Sequence, residues 1–114
     1  VVLRLTWEQA SVLLTGDIAA EVESSLIWSE QPLLADVLKL AHHGSNSSSG
    51  AGFLAAVHPT YAVVSAGAGN RFGHPATAVL DRLTQLGATV LRTDQVGTIE
   101  LITDGQQWWV RTER

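Results

Sequence analysis

From Val1 to Trp7 apolar residues alternate with polar or charged ones, and Ser11 to Thr15 forms a second, more apolar run after Glu8-Gln9-Ala10. Successive side chains of a strand point to opposite faces, so this pattern predicts two adjacent strands in a hairpin, turning at Glu8-Gln9-Ala10. After Gly16-Asp17 the period changes: Ile18, Val22 and Leu26 stand four apart, with Glu21 and Glu23 on other faces. That spacing predicts an amphipathic helix from about Ile18 to Ser29, closed by the region of Pro32. Asp36 to Ala41 reads as a short, mostly apolar strand running into His42-His43-Gly44-Ser45, and the small polar residues Asn46 to Gly50 read as a loop. Phe53 to Val57 suggests a short helix ended by Pro59, and Tyr61-Ala62-Val63-Val64-Ser65 has the β-branched apolar character of a buried strand.

A glycine-rich loop, Gly67 to Gly73, comes next. Pro75 is expected at the first position of a helix whose apolar face is Val79, Leu80, Leu83 and Leu86 and whose stop is Gly87. The tail reads as three strands, Ala88 to Arg92, Gly97 to Ile102 and Gln106 to Arg111, with Asp104-Gly105 as a two-residue hairpin turn. Strands alternating with helices and ending in a hairpin predict one α/β domain with a mixed sheet flanked by helices. The chain shows no internal repeat and no linker.

Composition narrows the chemistry more than the fold. Without cysteine there is no disulfide framework and no thiolate-bound zinc, so any metal must be held by His, Asp or Glu. A net charge of −4 argues against holding nucleic acid by a basic patch alone, although bound divalent cations and a few local arginines can neutralise phosphates at a site. No apolar run is long enough to cross a membrane, and the first residues lack a signal peptide's basic and apolar regions. They read as a strand already in progress, as expected for a piece of a longer protein.

Polar residues cluster where the predicted strands end. Asp17 follows Leu13-Leu14-Thr15-Gly16, His42 and His43 follow Leu38 to Ala41, and His74 follows the loop after Val63-Val64-Ser65. In open α/β sheets that edge is where ligands bind. Taken singly, each has a plainer reading: Asp17 as a helix N-cap, His42-His43 as a polar strand end, His74 as a cap residue before Pro75, and His58 as an exposed turn before Pro59. The plain reading is kept for His58. For the others the combination favours chemistry, because carboxylate and imidazole are the ligands that hold zinc or manganese without thiolate. Gly44 and the serines after it permit close backbone approach to a phosphate.

Four stretches then carry a resemblance: Leu13-Leu14-Thr15-Gly16-Asp17, Ala35 through Ser45 with its His-His-Gly-Ser run, Ala62 to Ser65 through Asn70-Arg71-Phe72-Gly73-His74-Pro75, and Leu91-Arg92-Thr93-Asp94 followed by Gly97. In order and spacing they resemble the metallo-β-lactamase-like domain of the ComEC/Rec2 DNA-uptake family, and the resemblance covers nearly the whole chain. It implies a metal-dependent nuclease that cuts DNA during natural transformation, using two divalent ions, zinc or manganese. Carried over, Asp17 is the metal-bridging aspartate and the His-His run supplies a metal ligand beside an active-site histidine. His42 is favoured as the ligand because it leaves the strand first, and His43 as the proton donor. His74 matches the family's Gly-His-Pro histidine, near the site.

The superfamily's His-x-His-x-Asp-His motif is absent, since no histidine precedes His42. The resemblance therefore implies that residues 1–114 are a single partial domain, the C-terminal half of an αββα sandwich. The expected partners are DNA, the N-terminal half of the domain, and a membrane channel region of the same protein. The isolated chain is expected to be inactive, to bind metal weakly or not at all, and to self-associate through the face it should bury. The parent is expected in the cytoplasmic membrane, with this domain on its outer side. Two rivals remain: another hydrolase of the superfamily, cleaving phosphorylcholine or another small phosphodiester, and a non-catalytic binding or assembly module with structural histidines.

Overall fold

The computed structural model of the chain describes residues 1–67, 69 and 73–114. The alternating N-terminal residues form β1 (Leu3–Trp7) and β2 (Ala10–Leu14), paired antiparallel with Leu3 opposite Leu14 and Trp7 opposite Ala10. Ala10 lies within β2 and the turn is made by Glu8 and Gln9, with Glu8 at φ 53°. The strands β3 (Val37–Lys39), β4 (Tyr61–Val64) and β5 (Thr89–Arg92) add in parallel, giving a five-stranded sheet in the order β1-β2-β3-β4-β5. The last two strands, β6 (Ile99–Thr103) and β7 (Trp108–Thr112), make a separate antiparallel hairpin. The architecture is thus mixed α/β, as the alternation of patterns predicts.

Three helices, α1 (Ala20–Trp28), α2 (Ala51–Val57) and α3 (Thr77–Gln85), connect the parallel strands. In a pleated sheet residues in register share a face. Leu13, Leu38, Ala62 and Val90 form one such row, and the first three join Phe53, Leu54, Val57, Val79 and Leu83 in the buried core, with Val90 packed against it. The opposite face carries Leu3, Leu14, Lys39, Val63 and Leu91 in one row and Leu5, Val12, Val37, Tyr61 and Thr89 in the next. There Leu3, Leu5 and Trp7 are about half exposed (52%, 55% and 55%), so this face is only partly covered.

The β6–β7 hairpin covers part of it. The indole Nε1–H of Trp108 donates to Asp36 Oδ2 at 3.2 Å, and the same carboxylate oxygen accepts Ser11 N–H at 3.0 Å. A groove of about 180 Å³ remains between hairpin and sheet, lined among others by Leu5, Trp7, Val12 and Trp108.

Three local expectations need correction. In α1 the buried residue is Glu23 (3% exposed) and Val22 is 43% exposed, while Ile18 just before the helix and Leu26 pack on the core, so the apolar row faces inward at its ends and Glu23 holds the middle. The reason is polar: Glu23 accepts the backbone N–H groups of Ser49 and Gly50 at the start of α2. The second concerns Pro75, which precedes α3 and is not its first residue. Ala76 N–H is drawn to Gly44 O at 2.9 Å, which keeps Ala76 extended as the N-cap, and the helix begins at Thr77. Third, the β6–β7 loop has four residues, Asp104 to Gln107, because Thr103 pairs with Trp108. Asp104 Oδ1 accepts both Gln106 N–H (2.9 Å) and Gln107 N–H (2.8 Å), closing the longer turn. Between β5 and β6, where the sequence predicts no element, Thr93–Val96 forms a single helical turn, α4. Gly87, at φ 78°, does end α3 as expected.

Candidate functional site

All four parallel-running strands β2 to β5 end on one edge of the sheet, and backbone and side-chain bonds tie their exit loops together. Thr15, 1% exposed, donates its hydroxyl to Lys39 O at 2.6 Å, linking the end of β2 to β3. Beyond it Gly16 turns the chain at φ 58°, Ile18 N–H closes the turn on Thr15 O, and Gly16 O accepts His42 N–H at 3.3 Å. This places the Gly16-Asp17 loop beside the His-His run. Asp17 is exposed, and it is not a helix cap: the N-cap of α1 is Ala19, with no side-chain capping bond.

The His-His-Gly segment leaves β3 in an unusual conformation. His42, His43 and Gly44 have φ of 50°, 54° and 84°, three successive left-handed residues. For residues other than glycine this region costs about 1–3 kcal/mol each, and such conformations concentrate at functional sites. Here the surroundings hold it. His42 N–H and Gly44 O are bonded to Gly16 and Ala76, while the His43 Nδ1 lies 2.6 Å from Ser65 O at the end of β4. A carbonyl oxygen only accepts, so Nδ1 carries the proton and Nε2 is the ring nitrogen open to other partners. Gly44 has no room for a side chain, since a Cβ there would sit 2.6 Å from Pro75 Cβ. Gly44→Ala is therefore expected to cost about 1–3 kcal/mol, read as a lowered urea midpoint with unchanged slope.

Lys39 completes the edge. Burial pulls its ammonium below the ordinary lysine range, and the Asp17 carboxylate partly opposes that shift. Its Nζ donates to Leu40 O at 3.0 Å. At the end of β5, Arg92 grips Asp94 through two bonds of 3.0 and 2.6 Å. These bonds raise the Arg92 pKa and hold the Asp94 carboxyl below its usual range.

The structure thus draws the loops bearing Asp17, His42 and His43 to one edge. His74 is half-buried and enters through its neighbour Pro75, which packs on Gly44. His58 stands apart and exposed, as the left-handed C-cap of α2. Ala68, Asn70, Arg71 and Phe72, which include part of the third resembling stretch, lie outside the described residues. Among the described residues no group of three or more His, Asp or Glu side chains could hold a metal ion, and no helix is long and apolar enough to cross a membrane. Sequence reasoning missed two residues, Glu23 and Thr93. The signal for Glu23 was weak, a carboxylate on a helix followed far along the chain by a helix with no side-chain cap; Thr93 lay inside a quoted motif without a role.

No family model matches the chain, and no solved structure matches it. Curated proteins do. It is 44% identical over 100 residues to Competence protein ComA of Neisseria gonorrhoeae, covering 87% of this chain and 14% of that protein. It is 44% identical over 90 residues to ComE operon protein 3 of Bacillus subtilis, covering 79% and 12%. Recombination protein 2 of Haemophilus influenzae is 35% identical over 91 residues, covering 80% and 11%. The chain therefore spans only about one-eighth of the length of these relatives. Identity at this level along most of the chain shows that it belongs to the ComEC/Rec2-like family of competence proteins.

Proposed function

We propose that this chain is half of a metallo-β-lactamase-like domain that hydrolyses phosphodiester bonds of DNA during natural transformation, within a much longer membrane protein. The observation that carries the reading is the meeting of the loops that bear Asp17, His42 and His43 at the carboxyl edge of parallel strands, with the His-His-Gly backbone held left-handed by its neighbours. Homology to competence proteins supports the biological setting. The partly covered sheet face supports a half-sandwich, since Leu3, Leu5, Trp7 and the groove beside Trp108 are what a second sheet would bury. On this reading the domain lies on the outer side of the cytoplasmic membrane, and the isolated chain is inactive and associates through that face.

Carboxylate and imidazole suit zinc or manganese, but the donors described here make only part of a coordination shell, so the remainder comes from outside residues 1–114. Bound ions of this kind supply a hydroxide nucleophile at neutral pH and offset phosphate charge. The chain's own contribution is orientation. Asp17 offers two carboxylate oxygens and His42 one ring nitrogen, while His43, its Nδ1–H held by Ser65 O, works through the bare Nε2, which must first take up a proton before it can deliver one to the departing oxygen. His74, carried in by Pro75, lies at the margin of the site.

The test is made in the full-length protein. His42→Ala should lose bound metal and divalent-dependent DNA hydrolysis together, while His43→Ala should keep metal and lose hydrolysis. Equal metal loss in both would overturn the division of roles. A metal-loaded parent protein that cuts no DNA would overturn the function itself.

A further inference from the structure

We propose that Thr93 is a positioning residue for the His43 ring, acting through the Ser65–Ala66 peptide. Thr93 opens α4 directly after β5, and its half-buried hydroxyl accepts Ala66 N–H at 2.9 Å while donating to Ala66 O, also at 2.9 Å. Ala66 N–H and Ser65 C=O belong to one peptide unit. That bond is not among the cis peptides of the described residues, so the two groups lie in one plane and point in opposite directions. The C=O end of this plane accepts His43 Nδ1–H at 2.6 Å. One rigid plane is therefore held at its N–H end by Thr93 and holds His43 at its C=O end.

Rotating the plane would aim the Ser65 carbonyl away from the imidazole, and the Thr93 bond opposes that rotation. An N–H donating to the hydroxyl also polarises the carbonyl on the same plane, strengthening its hold on Nδ1–H. Nε2 is then the nitrogen left to face a substrate or ion. The flanking residues serve the same end: the fork from Arg92 to Asp94 spans Thr93 and fixes the strand-to-helix turn on which it sits. Gly97, ending α4 at φ 72°, lets the chain leave toward β6. The Arg-Thr-Asp run at the end of β5 is in this view a brace for a histidine contributed by the loop after β3, reached across β4.

That His43 does chemistry rests on the function proposed above, whereas the state of its ring does not, and the two are measured separately. In the isotopically labelled chain, nitrogen NMR of the imidazoles, with His43 identified by loss of its signals in His43→Gln, should show a single neutral form protonated at Nδ1. Thr93→Ser keeps the hydroxyl and should preserve that form. Thr93→Val keeps the shape without the hydroxyl and should shift His43 toward the Nε2–H form that neutral histidine favours in water, with the core methyl signals unmoved. An unchanged Nδ1–H form in Thr93→Val overturns the proposal, as does loss of that form in Thr93→Ser. Collapse of the whole spectrum in both variants overturns it too, since Thr93 would then be a fold residue. If the ring responds as expected but the full-length protein hydrolyses no DNA, the positioning stands and the nuclease reading falls.

Discussion

Asp17→Asn in the full-length protein should abolish divalent-dependent DNA hydrolysis, by about a hundredfold or more, since even residues that only support a metal ligand cost about 10–100-fold when lost. Stability of the metal-free protein should change by less than about 0.5 kcal/mol. The structure sharpens this contrast. A capping aspartate tolerates asparagine because an amide oxygen accepts the same bond, but α1 is capped at Ala19 and Asp17 is exposed two residues earlier. Its charge is felt at Lys39, whose ammonium it favours against burial. Among the described residues this exposed carboxylate, at the edge where four parallel-running strands end, makes no hydrogen bond that asparagine would break. Hydrolysis retained at the parent rate, with metal content unchanged, would remove Asp17 from the site.

Glu23→Ala should be among the most destabilising changes outside the apolar core, by about 3 kcal/mol, because it leaves one buried and one half-buried backbone N–H group unpaired at about 1–3 kcal/mol each. The carboxylate of Glu23 takes Ser49 N–H and Gly50 N–H together, the latter at 2.9 Å, and α2 has no cap from its own residues. A negative charge at that helix start is favoured by the helix dipole as well. Arg82 holds the same loop from the other side, donating to Ser49 O at 3.1 Å. Glu23→Gln should fall between the parent and the alanine variant, since an amide keeps one acceptor and turns a donor toward the second N–H. Urea unfolding measures both. An alanine variant within about 0.5 kcal/mol of the parent would show that water replaces the carboxylate at no cost, contrary to its burial.

Much of the fold was legible in the chain. The alternation in residues 1 to 15, the β-branched run at Tyr61 to Val64 and the apolar face of Val79 and Leu83 each announced the element found there. The expected apolar row of α1 is inward at Ile18 and Leu26 but not at Val22, because the buried carboxylate of Glu23 takes the inward position between them. Asp104-Gly105 by itself predicts a two-residue turn, whereas the loop is longer because Asp104 accepts the N–H groups of Gln106 and Gln107 beyond the pair. Of the site, Asp17, His42 and His43 stood out by residue type and by their place after strands. Thr93 did not, because its role lies wholly in whom it touches.

What the sequence by itself determined is the order and kind of the elements, and which residues stand at the ends of strands, because periodicity, turn residues and β-branching act over a few neighbours. What only the tertiary structure decided is how those ends meet. Parallel pairing of β2 to β5 brings Gly16, His42, Ser65 and Thr93 from distant parts of the chain to one edge. The left-handed His-His-Gly turn and the ring proton on His43 Nδ1 depend on bonds spanning 22 residues or more of sequence. Such bonds have no local signature. A backbone amide or carbonyl can be satisfied by any partner that folding delivers, and the partner is chosen by packing of the whole sheet.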